Sequence, residues 1–369
     1  MRAVCLILAA TVLSAGPLHA QKKKVNKVGL ALAKKTTVEF VDTPLVDVVK
    51  YISDLHKIDI ELAKKELTEE GISTDEPITL SLKDKTLQST LNIMLEPLGV
   101  TYLSSSDKLQ ITSITASEEK LETRTYPIGR LPQAAMSEVI SSMTDAYWLD
   151  IEGTGGSIQG GGNGFLRISQ TQHAHASIEN LLLQITRIID ARRAPKPTAV
   201  EKSEDALRKQ LSRKALLKFS KTPLNAALKQ IQTTQKVTIW LDETSLLEEG
   251  LETNMPVSVN TKNVSLANGL DQLLKPLDLA WFVDDEVIKI MPSAYAGEEL
   301  STRVYNGSKI IGSKYTPMRL TELFLQTEQL APWEEIAGSG GRVDVRGTLI
   351  FIRHSPVMQR KIAALIPNL

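Results

Sequence analysis

The stretch Phe40–Ile52, FVDTPLVDVVKYI, is written a second time at Phe219–Ile231 as FSKTPLNAALKQI. Both open on Phe, pass two residues, and run through Thr-Pro-Leu into an apolar stripe. Thr43 is of the type that caps a helix start, and Pro44 suits a first helical turn, where no N–H donor is needed. Leu45, Val48, Val49, Ile52 and Leu55 then fall on one helical face. Leu224, Ala227, Leu228 and Ile231 do the same in the second copy. An internal repeat governs the architecture before any local reading does. The likeness extends without a gap from about 36–126 to about 215–305, with roughly three positions in ten identical.

Working outward, each copy predicts the same elements. DIEL and TIWL read as short strands. PITLSLK and PVSVNTK alternate apolar with polar, as a sheet with one buried face requires. TLQSTLNIMLEPLG carries Leu87, Leu91, Met94, Leu95 and Leu98 on one helical stripe, and SLANGLDQLLKPLD repeats it. A strand pair closes the unit, with its turn at Ser105-Ser106-Asp107 in one copy and Asp284-Asp285-Glu286 in the other. The expected fold class is α+β, a tandem repeat of a two-part module. A βαβ-βαββ submodule is followed by a helix, a Gly-rich hairpin and a helix. The second parts match more loosely: Trp148 pairs with Trp333, Gly155-Gly156 with Gly340-Gly341, and Ile178 with Ile362.

The bulk numbers limit the function. The chain has 369 residues, with 43 basic and 43 acidic side chains. Zero net charge argues against nucleic acid as the main partner, which needs a basic face. At the N-terminus, MRAVCLILAATVLSAGPLHA reads as a secretory signal peptide over 1–20: Arg2, an apolar run, then Gly16-Pro17 and a small residue at the cleavage position. That run is shorter than the ~20 residues that span a bilayer. Cys5, the only cysteine, lies inside it. The mature chain is therefore expected to be exported, most simply to the periplasm. It has no disulfide, no thiol chemistry and no membrane span.

No motif points to catalysis, a cofactor or a metal. His173-x-His175 does not share a helix face, and the second copy has Val357 and Gln359 there. His56 and His354 read as single surface residues. GTGGSIQGGGNG lacks the Gly-Lys-Ser/Thr of a phosphate loop and reads as a hairpin. Asp284, Asp285 and Glu286 read as a polar turn, since Ser105, Ser106 and Asp107 stand in their place in copy one. Arg124 and Arg303, each in a Thr-Arg-x-Tyr run, read as strand residues leaving the first submodule. Trp148 and Trp333 are the candidate binding residues. Two readings stand for them: exposed anchors for a partner or a sugar, or rings that close the module core. The core reading is favoured.

The Phe-x-x-Thr-Pro-Leu start and the Leu-x-x-x-Leu-x-x-x-Leu helix that runs on into Leu-Gly-Val-Thr-Tyr resemble the short N-terminal domain of secretins and TonB-dependent receptors. GFLRISQTQHAHASIENLLLQI resembles the small β-α units that follow it in secretins. The resemblance implies units that contact partner proteins or each other. The large outer-membrane β-domain of those families is expected to be absent. The expected organisation is a signal over 1–20 and repeat 1 over 21–126 and 127–190. A Pro-rich linker over 191–203 precedes repeat 2 over 204–305 and 306–369, with a polar helix from about Glu204. The expected function is a non-enzymatic periplasmic interaction or adaptor protein whose partners are envelope or secretion proteins. The alternative is an envelope glycan- or small-ligand-binding protein using the tryptophans. Open edges of small sheets offer a mechanism, by adding a partner strand.

Overall fold

The computed structural model describes residues 26–369 apart from Arg130 and Asn163; the expected signal peptide and Cys5 lie outside the described residues. Helix α1 (Lys27–Leu32) leads into β1 (Lys35–Pro44), α2 (Leu45–His56), β2 (Asp59–Leu62), α3 (Lys64–Glu69), β3 (Pro77–Thr86) and α4 (Leu87–Leu95). Next come β4 (Val100–Ser104), β5 (Lys108–Ser113) and α5 (Ile114–Glu118). A second unit holds β6 (Glu122–Pro127), α6 (Gln133–Met143), α7 (Leu149–Glu152), β7 (Ser157–Gly160), β8 (Phe165–Gln170) and α8 (Gln172–Ile189).

The same order then recurs. Helix α9 (Ala199–Leu211) and β9 (Lys214–Ala215) precede β10 (Lys218–Pro223), α10 (Leu224–Gln235), β11 (Ile239–Leu241), α11 (Glu243–Glu248) and β12 (Pro256–Asn260). After β13 (Val264–Ser265) come α12 (Leu266–Leu274), β14 (Leu279–Asp284), β15 (Val287–Pro292) and α13 (Ser293–Glu298). The last unit is β16 (Ser301–Asn306), α14 (Pro317–Leu325), α15 (Glu334–Ala337), β17 (Arg342–Arg346), β18 (Leu349–His354) and α16 (Pro356–Leu365). The fold is α+β, with small sheets in the orders β1-β3, β2-β5-β4 and β6-β8-β7, then β9-β13, β10-β12, β11-β15-β14 and β16-β18-β17.

The repeated Phe-x-x-Thr-Pro-Leu run is a β-bulge that turns a strand into a helix. Register against the partner strand shifts between Phe40 and Thr43, and again between Phe219 and Thr222. The bulged residues Asp42 and Lys221 hold φ of +44° and +49°. Their N–H groups donate to Thr79 Oγ1 (3.0 Å) and Ser258 Oγ (2.9 Å). Thr43 is not the helix cap: its hydroxyl donates to the carbonyl of Val41, and α2 begins at Leu45 with no side-chain cap. The bend lays the loop before β3 across the helix start. There the carbonyls of Glu76 and Thr74 take the orphan N–H groups of Leu45 and Val46. Met255 and Thr253 do the same for Leu224 and Asn225.

Two expected boundaries move. β6 pairs with β8, and β16 with β18, so Arg124 and Arg303 sit in the second sheet of each half rather than on strands leaving the first. The linker is shorter than 191–203, because Thr198 and Glu201 form a capping box that starts α9 at Ala199.

The cores interlock. Val287, from the second half, is fully buried in the core built by α2, α4 and β5 of the first. Leu349 and Phe351 of β18 join the core of α6 and α8. The sheet β16-β18-β17 is thus covered by its own helices on one face and by those of the preceding half on the other.

Candidate functional site

The sequence candidates come first. Trp148 and Trp333 are 3% and 1% exposed, so neither ring offers a face to a sugar or a partner. Their backbones bridge Gly156 and Gly341 in parallel. Gly155 and Gly340, at φ +94° and +105°, lie so close to the preceding loop that a Cβ would come 2.3 Å from the carbonyl oxygens of Tyr147 and Pro332. The Trp and Gly-Gly spacing is therefore a packing latch, and the exposed-anchor reading is corrected. Both indole N–H groups are buried without a hydrogen-bond partner among the described residues.

The histidines also differ from their surface reading. His56, His175 and His354 are buried, and burial holds all three below the usual imidazole range. His56 Nε2 pairs with Thr36 Oγ1 at 2.8 Å. His354 Nδ1 accepts the Ser355 N–H, so its Nε2–H donates to the Leu330 carbonyl. His175 Nε2 lies 2.8 Å from the Glu122 carbonyl, which leaves Nδ1 to accept from Tyr126 Oη at 2.7 Å. Spacing carried the missed signal. His56 is four residues from Ile52, His175 three from Ile178, and His354 two from Ile352 on a strand, each in phase with a core side chain.

The acidic turn is the larger surprise. Asp284-Asp285-Glu286 inserts into the first half. The Glu286 side chain is fully buried; Oε1 meets Lys35 Nζ at 2.5 Å, and Oε2 accepts from the Thr86 N–H (2.6 Å) and hydroxyl (2.7 Å). Its carbonyl accepts from Lys85. Thr86 is the cap of α4, so the carboxylate sits where the helix dipole favours negative charge. Burial works against ionisation of Glu286, but the bonds from Lys35 and Thr86 outweigh it and hold its pKa low. Asp285 accepts from Asn92 at 2.8 Å. Lys289, on β15, pairs with Glu96 (2.7 Å), Asp284 (2.9 Å) and Asp285 (3.2 Å). Burial, then the neighbouring Asp284, pushes Asp285 up to about 7.

Two glutamines of α8 act in the same spirit. Gln172 takes the N–H and carbonyl of Ser104 (2.9 and 2.8 Å), and Gln184 takes the carbonyl of Thr302 and the N–H of Val304 (both 3.0 Å). Each amide stands in for a neighbouring strand at these residues, at the end of β4 (Ser104) and along β16 (Thr302 and Val304).

Around this junction lies a cleft of about 1240 Å³ to which all four units contribute walls. Three large apolar side chains line it while remaining exposed: Tyr147 at 62%, Ile114 at 48% and Leu121 at 43%. Leu149 and Ile151, exposed on α7, lie two and four residues after Tyr147. Arg353 and Asp145 pair at 2.9 Å across the two halves at its wall. Among the described residues no helix is long and apolar enough to cross a membrane, and no His, Cys, Asp and Glu group could hold a metal ion.

No family model matches this chain, and no curated protein does. Among the solved structures it is similar to are N-terminal domains of secretins. One is a GspC–GspD complex of the enterotoxigenic Escherichia coli type II secretion system: 18% identity, 42% of this chain, 98% of that one, TM-score 0.17. Another is the N-terminal domain of the secretin XcpQ from Pseudomonas aeruginosa: 16% identity, 48% and 78% coverage, TM-score 0.16. A third is InvG N0–N1 in the Salmonella SPI-1 injectisome base: 14% identity, 42% and 92% coverage, TM-score 0.20. At these scores the overall arrangements do not superpose.

Proposed function

We propose that this chain is an exported, non-enzymatic interaction protein of the periplasm, accessory to an envelope or secretion assembly. In this reading it is a duplicated pair of two-part units, 21–190 and 204–369, joined by a short linker. One observation carries the proposal: Tyr147, Ile114 and Leu121 stand exposed around one cleft, where isolated apolar side chains would need no explanation but a gathered set marks a contact surface. The resemblance of the sequence to secretin N-terminal units supports the same class. The interlocked cores favour a rigid platform over two freely swinging modules.

The test is affinity capture of tagged residues 21–369 from native envelope, with mass spectrometry, beside a Tyr147→Ser, Ile114→Ser variant. Stoichiometric enrichment of envelope or secretion components, lost in the variant, is the expected result. Recovery of the protein alone overturns the proposal.

A further inference from the structure

We propose that the four-unit cleft docks a partner peptide segment carrying lysine or arginine between apolar side chains. This deepens the interaction reading above and rests on it. The chain as a whole is neutral, with 43 charges of each sign. The cleft is not: eight carboxylate side chains line it against three cationic ones. Each of those three is already engaged. Lys289 pairs with Glu96, Asp284 and Asp285, Arg342 with Glu334, and Arg353 with Asp145. Glu118, Glu119 and Glu299 form no ion pair among the described residues and face the same space. A concave, low-dielectric wall of one sign focuses its field on an incoming opposite charge.

Charge alone does not choose the occupant. The carboxylates are spread along the walls, and no set among the described residues closes on a metal ion. Between them stand the exposed side chains of Tyr147, Ile114 and Leu121. Acidic and apolar patches in one cleft match a segment whose own side chains do both jobs. The cleft, at about 1240 Å³, exceeds the ~300–1,000 Å³ of small-molecule sites and suits a stretch of chain. The same field repels nucleic acid and acidic glycans.

The test uses residues 21–369 and three fluorescein-labelled ten-residue peptides, alternating Lys-Leu, Glu-Leu and Ser-Leu, read by fluorescence anisotropy at physiological salt. Lys-Leu is expected to bind saturably, Ser-Leu more weakly, and Glu-Leu not at all. Glu118→Gln, Glu119→Gln, Glu299→Gln together should weaken Lys-Leu at least tenfold, as should Tyr147→Ala alone. Glu69→Gln, Glu70→Gln, on an exposed surface elsewhere, should leave it unchanged, and unaltered melting curves certify that each variant folds. Equal binding by cleft and control variants overturns the inference, as does no binding of Lys-Leu. If Lys-Leu fails while the wild type still captures envelope partners, this inference falls and the broader reading stands. If capture fails while Lys-Leu binds the cleft, the broader reading falls instead.

Discussion

The β4–β5 turn, Ser105-Ser106-Asp107, and the β14–β15 turn, Asp284-Asp285-Glu286, occupy the same place in two halves of one chain. The first is a surface turn. Its Ser106 carbonyl receives the Lys27 N–H, and its hydroxyls bond within the turn. The second carries a fully buried carboxylate that caps a helix of the other half. The strands behind them differ accordingly. β5 alternates along Lys108–Ile111, whereas all six residues of β15 are buried, Lys289 among them. One supersecondary unit thus ends in a surface turn in the first half and in a buried plug in the second. Whether a repeated unit is a module or a joint depends on what it is packed against.

The comparison breaks most sharply at Glu286. Glu286→Ala leaves Lys35 and the Thr86 cap without their shared carboxylate, while the backbone carbonyl that accepts from Lys85 remains. The Lys35 side chain is 39% exposed and can be rehydrated, so the cost falls from the ~3–5 kcal/mol of a fully buried ion pair toward the ~1–3 kcal/mol of leaving the buried Thr86 donors unsatisfied. Urea unfolding should shift by about that much, and the single transition should split as the halves part. Ser106→Ala, in the equivalent turn, should change stability by about 0.5 kcal/mol or less, the range of surface substitutions. Equal shifts for the two variants would erase the distinction between buried joint and surface turn.

The next test asks where the halves are alike. Gly155→Ala and Gly340→Ala each force a Cβ against a backbone carbonyl at positive φ. The backbone conformation alone costs ~1–3 kcal/mol, and the clash adds to it. Similar losses at both sites, read by thermal unfolding, are expected from the shared Trp latch. A loss at only one would mean that the latch is redundant in the other half.

Smaller still is the effect of Gln184→Ala. It removes two hydrogen bonds to β16, worth ~0.5–1.5 kcal/mol each. Amide exchange at Val304 should quicken while that of the β17–β18 ladder stays protected. Unchanged exchange would show that helix packing, not the amide, closes this edge.

These sites also mark what the amino-acid sequence makes legible. The repeated bulge, the paired helices and the Gly-Gly requirement are local, so matching residues at matching spacing announce them. The joint is not local. Aligned against Ser-Ser-Asp, the acidic run looks like any tolerant turn, because its partners lie about 200 positions away. Only VIKIMP hints at the difference: Val287 and Met291 stand where KLQITS has Lys108 and Thr112, so apolar residues enter both phases of the strand, with Lys289 the one charge among them. The tryptophans were ambiguous for a similar reason. A ring's type and spacing do not say which side of a loop the core lies on. The cleft belongs to no single stretch of sequence, since its walls come from four units.

The finest test is of pH. Asp285 titrates near 7 in the folded chain and near ~3.9 when unfolded. Between those values the folded state binds the extra proton. Asp285 therefore favours folding at low pH, and this contribution is lost as pH rises through 7. The buried histidines act oppositely: their folded pKa values lie below the ordinary ~6.5, so acidification loads protons onto the unfolded chain first and stability falls below that point. Glu286, held low, adds to that acid loss only at lower pH, between the unfolded glutamate value of ~4.3 and its own. Between about pH 5 and 7 the wild-type slope is therefore the difference between these two opposed contributions. Asp285→Asn removes one of them. Its urea midpoint should fall more steeply than that of the wild type on going from pH 7 to pH 5, and lose less on going from pH 6 to pH 8. Parallel pH profiles for the two proteins would mean that Asp285 is already ionised in the joint, held by Lys289 and Asn92.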